Sequence, residues 1–170
     1  CVYCTLSWRD SEVNFRESSQ IGGVHRRFEI LGTPDGITVA DDFAHHPTEL
    51  TATLNAAMIM GFNKVWAIFQ PHTFSRTALL LDDFAEALNI PDQAIISAIL
   101  PVRETNTNNT NLLTTDKGSG SVCLDTFEEI TDYVCKNAKE GDLILTMGGG
   151  NVYMCANMIY KQLKYMEENK

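Results

Sequence analysis

The sequence predicts an α/β fold: a Rossmann-like, mostly parallel sheet with helices on both faces, preceded by an N-terminal hairpin. Three observations lead to this prediction. Short apolar runs such as 64–70 and 142–147 have the composition of strands buried on both faces. They alternate with segments of helical periodicity, which is typical of parallel sheets with right-handed crossovers. At 170 residues, the chain has room for one ordinary domain.

The predicted elements form a hairpin followed by alternating helices and strands. They are strands at 27–31 and 37–41, a helix at 47–61, a strand at 64–70, a helix at 75–89, strands at 94–100 and 121–124, a helix at 127–138, a strand at 142–147 and a helix at 152–167. The turn residues Thr33-Pro34-Asp35-Gly36 indicate the hairpin. Pro47 suits the first position of a helix, and helical spacing of apolar residues continues up to Gly61.

The middle of the chain predicts one helix and one long loop. Leu80, Phe84 and Leu88 recur at helical spacing, which predicts a single amphipathic helix with these three residues inward. Ser75 is the candidate N-cap of this helix. Residues 101–120 are polar, and so long a loop in a compact domain is usually functional or mobile.

The beginning of the chain differs from the rest. Residues 1–22 contain short apolar islands and a polar run, and they end at Gly22-Gly23. We expect them to be the tail of a preceding domain with a hinge, and residues 23–170 to form the domain proper. Because the first residue is Cys1 and not Met, we expect the chain to be a piece of a longer protein.

Composition argues against several classes of partner. The formal net charge is −9 and no basic stripe is visible, so we predict that the chain does not bind nucleic acid. No apolar run approaches the roughly 18 residues of a spanning helix, so no membrane partner is predicted. An odd number of cysteines, five, does not suggest a disulfide framework and favours a reducing compartment.

Chemically distinctive residues follow the ends of four predicted strands. These segments are Asp41 to His46, Gln70 to Arg76, Arg103-Glu104 and Gly148 to Asn151. In open α/β sheets, ligands bind outside the carboxyl ends of the strands. The sequence therefore predicts a ligand site at one edge of the sheet.

Two charged residues in these segments have alternative interpretations. Arg76 lies in the first turn of a predicted helix, where it could hold an anionic group such as a carboxylate bidentately. The alternative is an ion pair with Asp82 or Asp83. Asp42 could accept the hydroxyls of a ribose, or it could be an ordinary turn carboxylate.

The histidines suggest a metal site only weakly. Adjacent residues such as His45 and His46 rarely point at one ion, so no metal is predicted. The alternative is a metal-dependent hydrolase that uses His25, His45, His46 and His72. The turn Gly148-Gly149-Gly150 lets backbone approach a ligand. No P-loop occurs in the chain, so the phosphates of any ATP must be held elsewhere.

At these residues the sequence resembles the carboxy-terminal domain of the Mur ligases. The resemblance covers nearly everything from residue 20 onward, and a D-D-[FY]-x-H-H-P-T-E string in register with Q-P-H…R is highly specific. Its motifs are Gly23-Val24-His25-Arg26-Arg27-Phe28-Glu29, Asp41-Asp42-Phe43-Ala44-His45-His46-Pro47-Thr48-Glu49, Phe69-Gln70-Pro71-His72-Thr73-Phe74-Ser75-Arg76-Thr77, Asp82-Asp83-Phe84-Ala85-Glu86 and Gly141-Asp142-Leu143-Ile144-Leu145-Thr146-Met147-Gly148-Gly149-Gly150.

The resemblance implies an ATP-dependent ligase of bacterial peptidoglycan synthesis, working in the cytoplasm. Within the family it is closest to the members that join L-alanine to UDP-N-acetylmuramate through an acyl phosphate. ATP and Mg²⁺ would be bound mainly by a central domain, so this chain alone would be folded but inactive. A murein tripeptide ligase domain and a non-catalytic nucleotide-binding domain are the alternatives.

The resemblance also implies residue roles. Arg27 would reach the γ-phosphate of ATP, and Asp42 would bind its ribose; these two are the candidate catalytic and ATP-binding residues. His72 and Arg76 would lie at the incoming amino acid, with Arg76 on its carboxylate. The pocket for the small side chain would be lined by Phe43 and His45.

Overall fold

The computed structural model describes residues 26–104 and 121–170, so the predicted tail, His25 and most of the 101–120 loop lie outside it. The domain boundary at residue 23 therefore stays a prediction. The strands and helices are β1 (Glu29–Gly32), β2 (Thr38–Asp42), α1 (Pro47–Ile59), β3 (Val65–Phe69), α2 (Phe74–Leu79), α3 (Leu81–Ala87), β4 (Gln93–Ile96), β5 (Val122–Cys123), α4 (Phe127–Asn137), β6 (Leu143–Met147) and α5 (Tyr153–Glu168). A short 3₁₀ turn, Pro34–Gly36, joins β1 to β2.

The described strands form one sheet in the order β1-β2-β6-β3-β4-β5. β1 pairs with β2 in antiparallel fashion, and every other pair is parallel. The last strand in the chain, β6, therefore lies between β2 and β3. This arrangement confirms the predicted hairpin and the predicted mostly parallel sheet.

Helices cover both faces because successive residues of a strand point to opposite sides. All five residues of β3 are buried. Val65, Ala67 and Phe69 belong to the cluster that includes apolar residues of α1 and α3. Trp66 and Ile68 belong to the cluster that includes residues of α4 and α5. The two-sided burial expected of the apolar runs is thereby confirmed.

The carboxyl ends of the four central parallel strands are level with one another. Asp42 pairs with Met147, Met147 with Phe69, and Phe69 with Ile96. The segments that follow these residues leave the sheet side by side. We call this side of the sheet, with those segments, the carboxyl edge.

The predicted single helix at 75–89 is wrong in its continuity, since α2 and α3 are separate. Leu80, between them, has φ −113° and ψ 26°, outside the helical region. The break lets both Leu80 and Leu81 pack against the core, while Leu79 is left exposed. A straight helix would separate these consecutive residues by about 100° each and could not face both inward.

Two smaller predictions also need correction. α2 begins at Phe74 with Thr73 at its N-cap position, so Ser75 is not the cap. β4 ends at Ile96, earlier than the predicted residue 100. Its neighbours are short, with β3 ending at Phe69, so no ladder partner remains except at an isolated bridge between Leu100 and His72.

No helix in the described ranges is both long and apolar enough to span a membrane. Cys123, Cys135 and Cys155 are free thiols, whereas Cys1 and Cys4 lie outside the described residues. Burial raises the pKa of the Cys135 thiol to about 11 and that of Cys155 to about 12. These two thiols stay protonated at neutral pH and serve as packing groups.

Candidate functional site

Two adjacent aspartates end β2 and have different partners. Asp41 accepts hydrogen bonds from Thr146 Oγ1 at 2.6 Å and from Arg26 Nε at 2.7 Å. Asp42 instead accepts from two backbone N–H groups, those of Phe28 at 2.8 Å and Ala44 at 2.7 Å. Because successive residues of a strand point to opposite sides, the two carboxylates lie on opposite faces of the sheet at this edge.

Asp42 retains capacity for a ligand. Burial raises its pKa above the usual value, an effect that the two backbone hydrogen bonds oppose. Each of its oxygens accepts one hydrogen bond from the described residues and keeps a second lone pair. The residue is largely buried at the carboxyl edge, 9% exposed, and its open lone pairs suit a hydroxyl donor such as a ribose.

Arg27 lies next to Asp42 but does not bind it. The N–H that Asp42 accepts belongs to Phe28, the residue directly after Arg27. Arg27 itself is exposed and makes no hydrogen bond or ion pair with any residue that the structure describes. The structure thus brings together the two residues predicted for ATP. Asp42 is held by hydrogen bonds, and the exposed Arg27 can reach outward.

The paired histidines have separate environments. His46 is the N-cap of α1 and accepts from the Thr48 N–H at 3.4 Å, while Glu49 accepts from the backbone N–H of both histidines. These hydrogen bonds, that of His45 first, lower the pKa of Glu49. His45 packs edge-on against Phe43, with ring centroids 5.2 Å apart. The pair assigned to the side-chain pocket is therefore in contact.

Within residues 26–104 and 121–170, no group of three His, Cys, Asp or Glu side chains could hold a metal ion. The hydrolase alternative also needed His25, which lies outside the described ranges. That no metal binds this chain stays a prediction.

The second half of the site lies at α2. Arg76 is in the first turn and forms no ion pair with a described carboxylate, Asp82 and Asp83 included. Partial burial lowers the pKa of His72, and the nearby charges of Arg76 and His45 lower it further. His72 is therefore neutral at pH 7, beside an arginine without an anionic partner.

Glu104 caps this half of the site from the segment that follows β4. Its carboxylate accepts from the backbone N–H of Ser75 at 2.9 Å and from its hydroxyl at 2.6 Å. The bonds from Ser75 lower the pKa of Glu104. Glu104 thus fills the capping role that the sequence assigned to Ser75, and it joins a third strand end to the site.

The turn Gly148 to Asn151 packs closely against Gln70 of the protein itself, and its predicted approach to a ligand stays a prediction. A Cβ on Gly148, which has φ +149°, would lie 2.8 Å from the backbone oxygen of Gln70. A Cβ on Gly150 would lie 2.6 Å from Gln70 Oε1, a buried oxygen without a hydrogen bond in the described part. Gln70 Nε2 donates to Asn151 Oδ1 at 2.8 Å.

Sequence reasoning placed the four strand ends correctly at one edge but overlooked Arg26, which binds Asp41 and the glycine turn. A signal was available in the sequence. Two adjacent aspartates at a strand end face opposite sides, so each needs its own partners, and the two arginines before β1 offered one.

The comparison with known families is decisive. Residues 26–150 match the model of the family described as "Mur ligase, glutamate ligase domain". The chain belongs to this family. The Mur ligase resemblance read from the motifs is thereby confirmed.

Relatives and solved structures agree with this assignment. The UDP-N-acetylmuramate–L-alanine ligase of Lachnospira eligens is 44% identical over 148 residues, which cover 84% of this chain and 32% of that protein. The crystal structure of a UDP-N-acetylmuramate–alanine ligase from Thermotoga maritima matches 85% of this chain and 31% of its own, with TM-score 0.68 and 23% identity. A murein peptide ligase from Psychrobacter arcticus matches 86% of this chain and 31% of its own, with TM-score 0.69 and 28% identity.

The Mur ligase chain described here spans about a third of the length of the curated relatives it matches.

Proposed function

We propose that the chain is the C-terminal, amino-acid-binding and ATP-closing domain of an ATP-dependent UDP-N-acetylmuramate–L-alanine ligase of bacterial peptidoglycan synthesis. The 44% identity to a curated ligase of that name supports this choice within the family. In this proposal the remaining domains supply the P-loop and bind UDP-N-acetylmuramate. The isolated chain is then folded but inactive.

The observation that carries the proposal is an arginine without an anionic partner at a sheet edge built for ligands. Arg76 is the third residue of the six-residue helix α2 and lies beside His72 at the carboxyl edge. Among described residues no carboxylate pairs with it. An incoming amino acid supplies the missing carboxylate, which a guanidinium holds with two parallel hydrogen bonds.

His72 has the protonation state that the amine of this substrate requires. An ammonium group must lose a proton before its nitrogen can attack. Because the pKa of His72 is lowered, its neutral imidazole can accept a hydrogen bond, or a proton, from that group. Phe43 and His45, in contact with each other, then line the pocket for the small side chain.

Arg27 and Asp42 form the nucleotide side of the proposal. Asp42 offers acceptor lone pairs for the ribose hydroxyls, and exposed Arg27 can reach the γ-phosphate across a domain boundary. ATP supplies activation: it converts the muramyl carboxylate, a poor electrophile, into an acyl phosphate that the amine can attack. Mg²⁺ is assigned to the central domain and to no residue of this chain.

The test is Arg76→Ala in the full-length enzyme. Loss of a charged hydrogen-bonding partner is worth about 1.5–3 kcal/mol, so the KM for L-alanine should rise roughly 10- to 100-fold. The KM for ATP should stay unchanged. Steady-state kinetics with each substrate varied in turn would measure both constants.

Lys136→Ala is the matched control, because it removes an exposed positive charge from α4, which packs on one face of the sheet. It should leave both constants unchanged. An unchanged KM for alanine in Arg76→Ala, with weaker ATP binding, would contradict the role given to Arg76.

A murein tripeptide ligase is the second candidate, favoured by the TM-score of 0.69 to a murein peptide ligase. The two candidates differ in the amine that they accept. Full-length enzyme offered L-alanine and the murein tripeptide in parallel should ligate L-alanine. Ligation of the tripeptide alone would select the second candidate, and ATP binding without any ligation would select a non-catalytic domain.

A further inference from the structure

We propose that Arg26 is a positioning residue of the ligase site. It joins the glycine turn after β6 to the segment after β2, and it thereby sets the positions of both Asp42 and Phe43. This inference rests on the proposed function, since those two residues belong to the ATP and amino-acid sides of the site.

Arg26 joins three separate parts of the carboxyl edge through five hydrogen bonds. Its guanidinium donates to Asp41 Oδ2 at 2.7 Å, to the Gly148 carbonyl at 2.8 Å and to the Gly150 carbonyl at 3.0 Å. Its backbone oxygen accepts from the Phe43 N–H at 2.7 Å, and its backbone N–H donates to Glu29 at 3.0 Å. A single residue thus connects the ends of β2 and β6 with the start of β1.

Two aromatic rings enclose the same guanidinium. Its Cζ lies 5.1 Å from the ring centroid of Phe43 and 5.1 Å from that of Tyr153. Both distances fall within the range of a cation–π interaction. Phe43 is 43% exposed and lines the proposed amino-acid pocket. Its contact with Arg26 therefore helps to fix the position of its ring.

Burial makes the arrangement specific for arginine. The side chain of Asp41 is only 3% exposed and that of Arg26 19%. The planar fork of a guanidinium can donate in three directions and also stack between two rings, whereas an ammonium is a compact point charge. Without Arg26, Asp41 would remain a buried charge held by Thr146, and two turn carbonyls would lose their donor.

The contacts show how the loss of Arg26 would affect both halves of the site. The Gly148 N–H donates to the backbone oxygen of Asp42 at 3.2 Å, so the turn and the predicted ribose ligand move together. A Cβ built on Gly149 would lie 3.4 Å from His45 and 3.6 Å from Phe43, so the turn also packs against the pocket. A misplaced glycine turn would disturb both substrates.

The two neighbouring arginines therefore have different roles. Arg26 adopts a left-handed backbone conformation, φ 67°, which is strained for a residue with a side chain. Its side chain turns inward, whereas that of Arg27 is exposed. Three of its five hydrogen bonds come from the side chain and require this inward orientation.

The experiment compares Arg26→Gln with Trp66→Phe in the full-length enzyme. Trp66→Phe removes the buried 3.0 Å bond from Nε1 to Asp142, which lies at the opposite, amino edge of the sheet. Kinetics are measured at a temperature where circular dichroism shows both variants fully folded. Arg26→Gln should raise the KM for L-alanine and the KM for ATP, each about tenfold or more.

Trp66→Phe should keep both constants at the wild-type values, and Arg26→Lys, which keeps the charge, should recover part of the loss. If folded Arg26→Gln matches Trp66→Phe in both KM values, Arg26 is structural only and the inference is wrong. A wild-type enzyme without ligase activity would instead overturn the proposed function, so the two failures are distinguishable.

Discussion

The two edges of the sheet contain similar buried polar groups, but these groups have different roles. At the amino edge, Trp66 Nε1 donates to Asp142 at 3.0 Å, and Asp142 also accepts from the Lys139 N–H at 2.9 Å. Asp92 accepts from the Val65 N–H at 2.7 Å. Trp66 and Asp142 are buried and bonded to each other, whereas Asp92 is exposed and links the segment before β4 to β3.

The carboxyl edge contains the same kind of bridge, Arg26 with Asp41, but also cations that no described residue neutralises. Arg27 and Arg76 are of this kind. A free guanidinium contributes nothing to folding, whereas it can bind an anion strongly. The comparison teaches that the carboxyl edge is distinguished by arginines without ion pairs, whereas the cations without ion pairs to described residues at the amino edge, Lys64 and Lys139, are lysines.

The strongest test of this difference is Arg27→Ala in the full-length enzyme. We expect kcat to fall roughly 100-fold or more, since a donor placed at charge that develops in phosphoryl transfer is worth about that much. Stability should change little, because Arg27 is exposed and makes no hydrogen bond or ion pair with the described residues. Single-turnover kinetics and thermal unfolding would measure the two effects.

Half-buried Lys64, which packs over Trp66 at the amino edge, offers a contrasting change. Lys64→Ala should alter thermal unfolding slightly and leave kcat unchanged. A normal kcat in Arg27→Ala would remove Arg27 from the nucleotide side of the site.

Next in size is Gly148→Ala, which tests how tightly the glycine turn is built. Alanine at φ +149° is strained, and its Cβ would lie 2.8 Å from a backbone oxygen that cannot easily move. We expect a loss of about 3 kcal/mol in the free energy of unfolding, measured by urea denaturation.

Gly149→Ala is the matched control one residue away. Its Cβ would make ordinary contacts, the nearest 3.4 Å from His45 Cγ, so its cost should stay under about 1 kcal/mol. Equal losses in the two variants would show that the turn is not held against Gln70 as described.

The smallest expected effect concerns the protonation of His72. Burial is the main cause of its lowered pKa, and the charge of Arg76 is the next. Arg76→Gln should therefore raise the pKa of His72 toward 6.5 without reaching it. NMR titration of the imidazole protons would follow the shift, and Lys136→Gln should produce none.

The sign of the linked stability change follows from the same shift. Because the folded state holds the pKa of His72 below that of the unfolded chain, the unfolded chain binds protons more readily in the window just below pH 6.5. The contribution of His72 to stability is lost as pH falls through that window. Arg76→Gln should make this loss smaller, and a steeper loss would contradict the proximity of the two side chains.

Periodicity and turn residues were enough to predict the sheet, the hairpin and the edge where the site lies. A strand buried on both faces, such as β3, is apolar along its whole length and can be recognised in the sequence. Pro47 begins α1 as expected. The break at Leu80 could not be predicted, because helical spacing continues through it and only packing against the core decides which leucine faces outward.

Site residues could be predicted where the residue type alone suggests a chemical role. They were harder to predict where the role depends on which residues the side chain contacts. Arg76 and His72 stand out in sequence, and their proximity follows from their closeness in the chain around the start of α2. That Asp41 binds Arg26, and that Glu104 caps α2 in place of Ser75, depends on contacts between segments distant in sequence. The pairing of Asp41 had a partial signal, because adjacent aspartates at a strand end each need their own partners, whereas the capping of α2 by Glu104 had none.

The central position of β6 has a consequence for how the protein is made. Of the described strands β6 is the last to leave the ribosome, yet it separates β2 from β3, which are synthesised long before it. Until residues 143–147 insert, Asp42 and His72 belong to two sheet fragments with no common edge. Such late, long-range pairing is slow, so the half-built edge is the state most exposed to aggregation during synthesis.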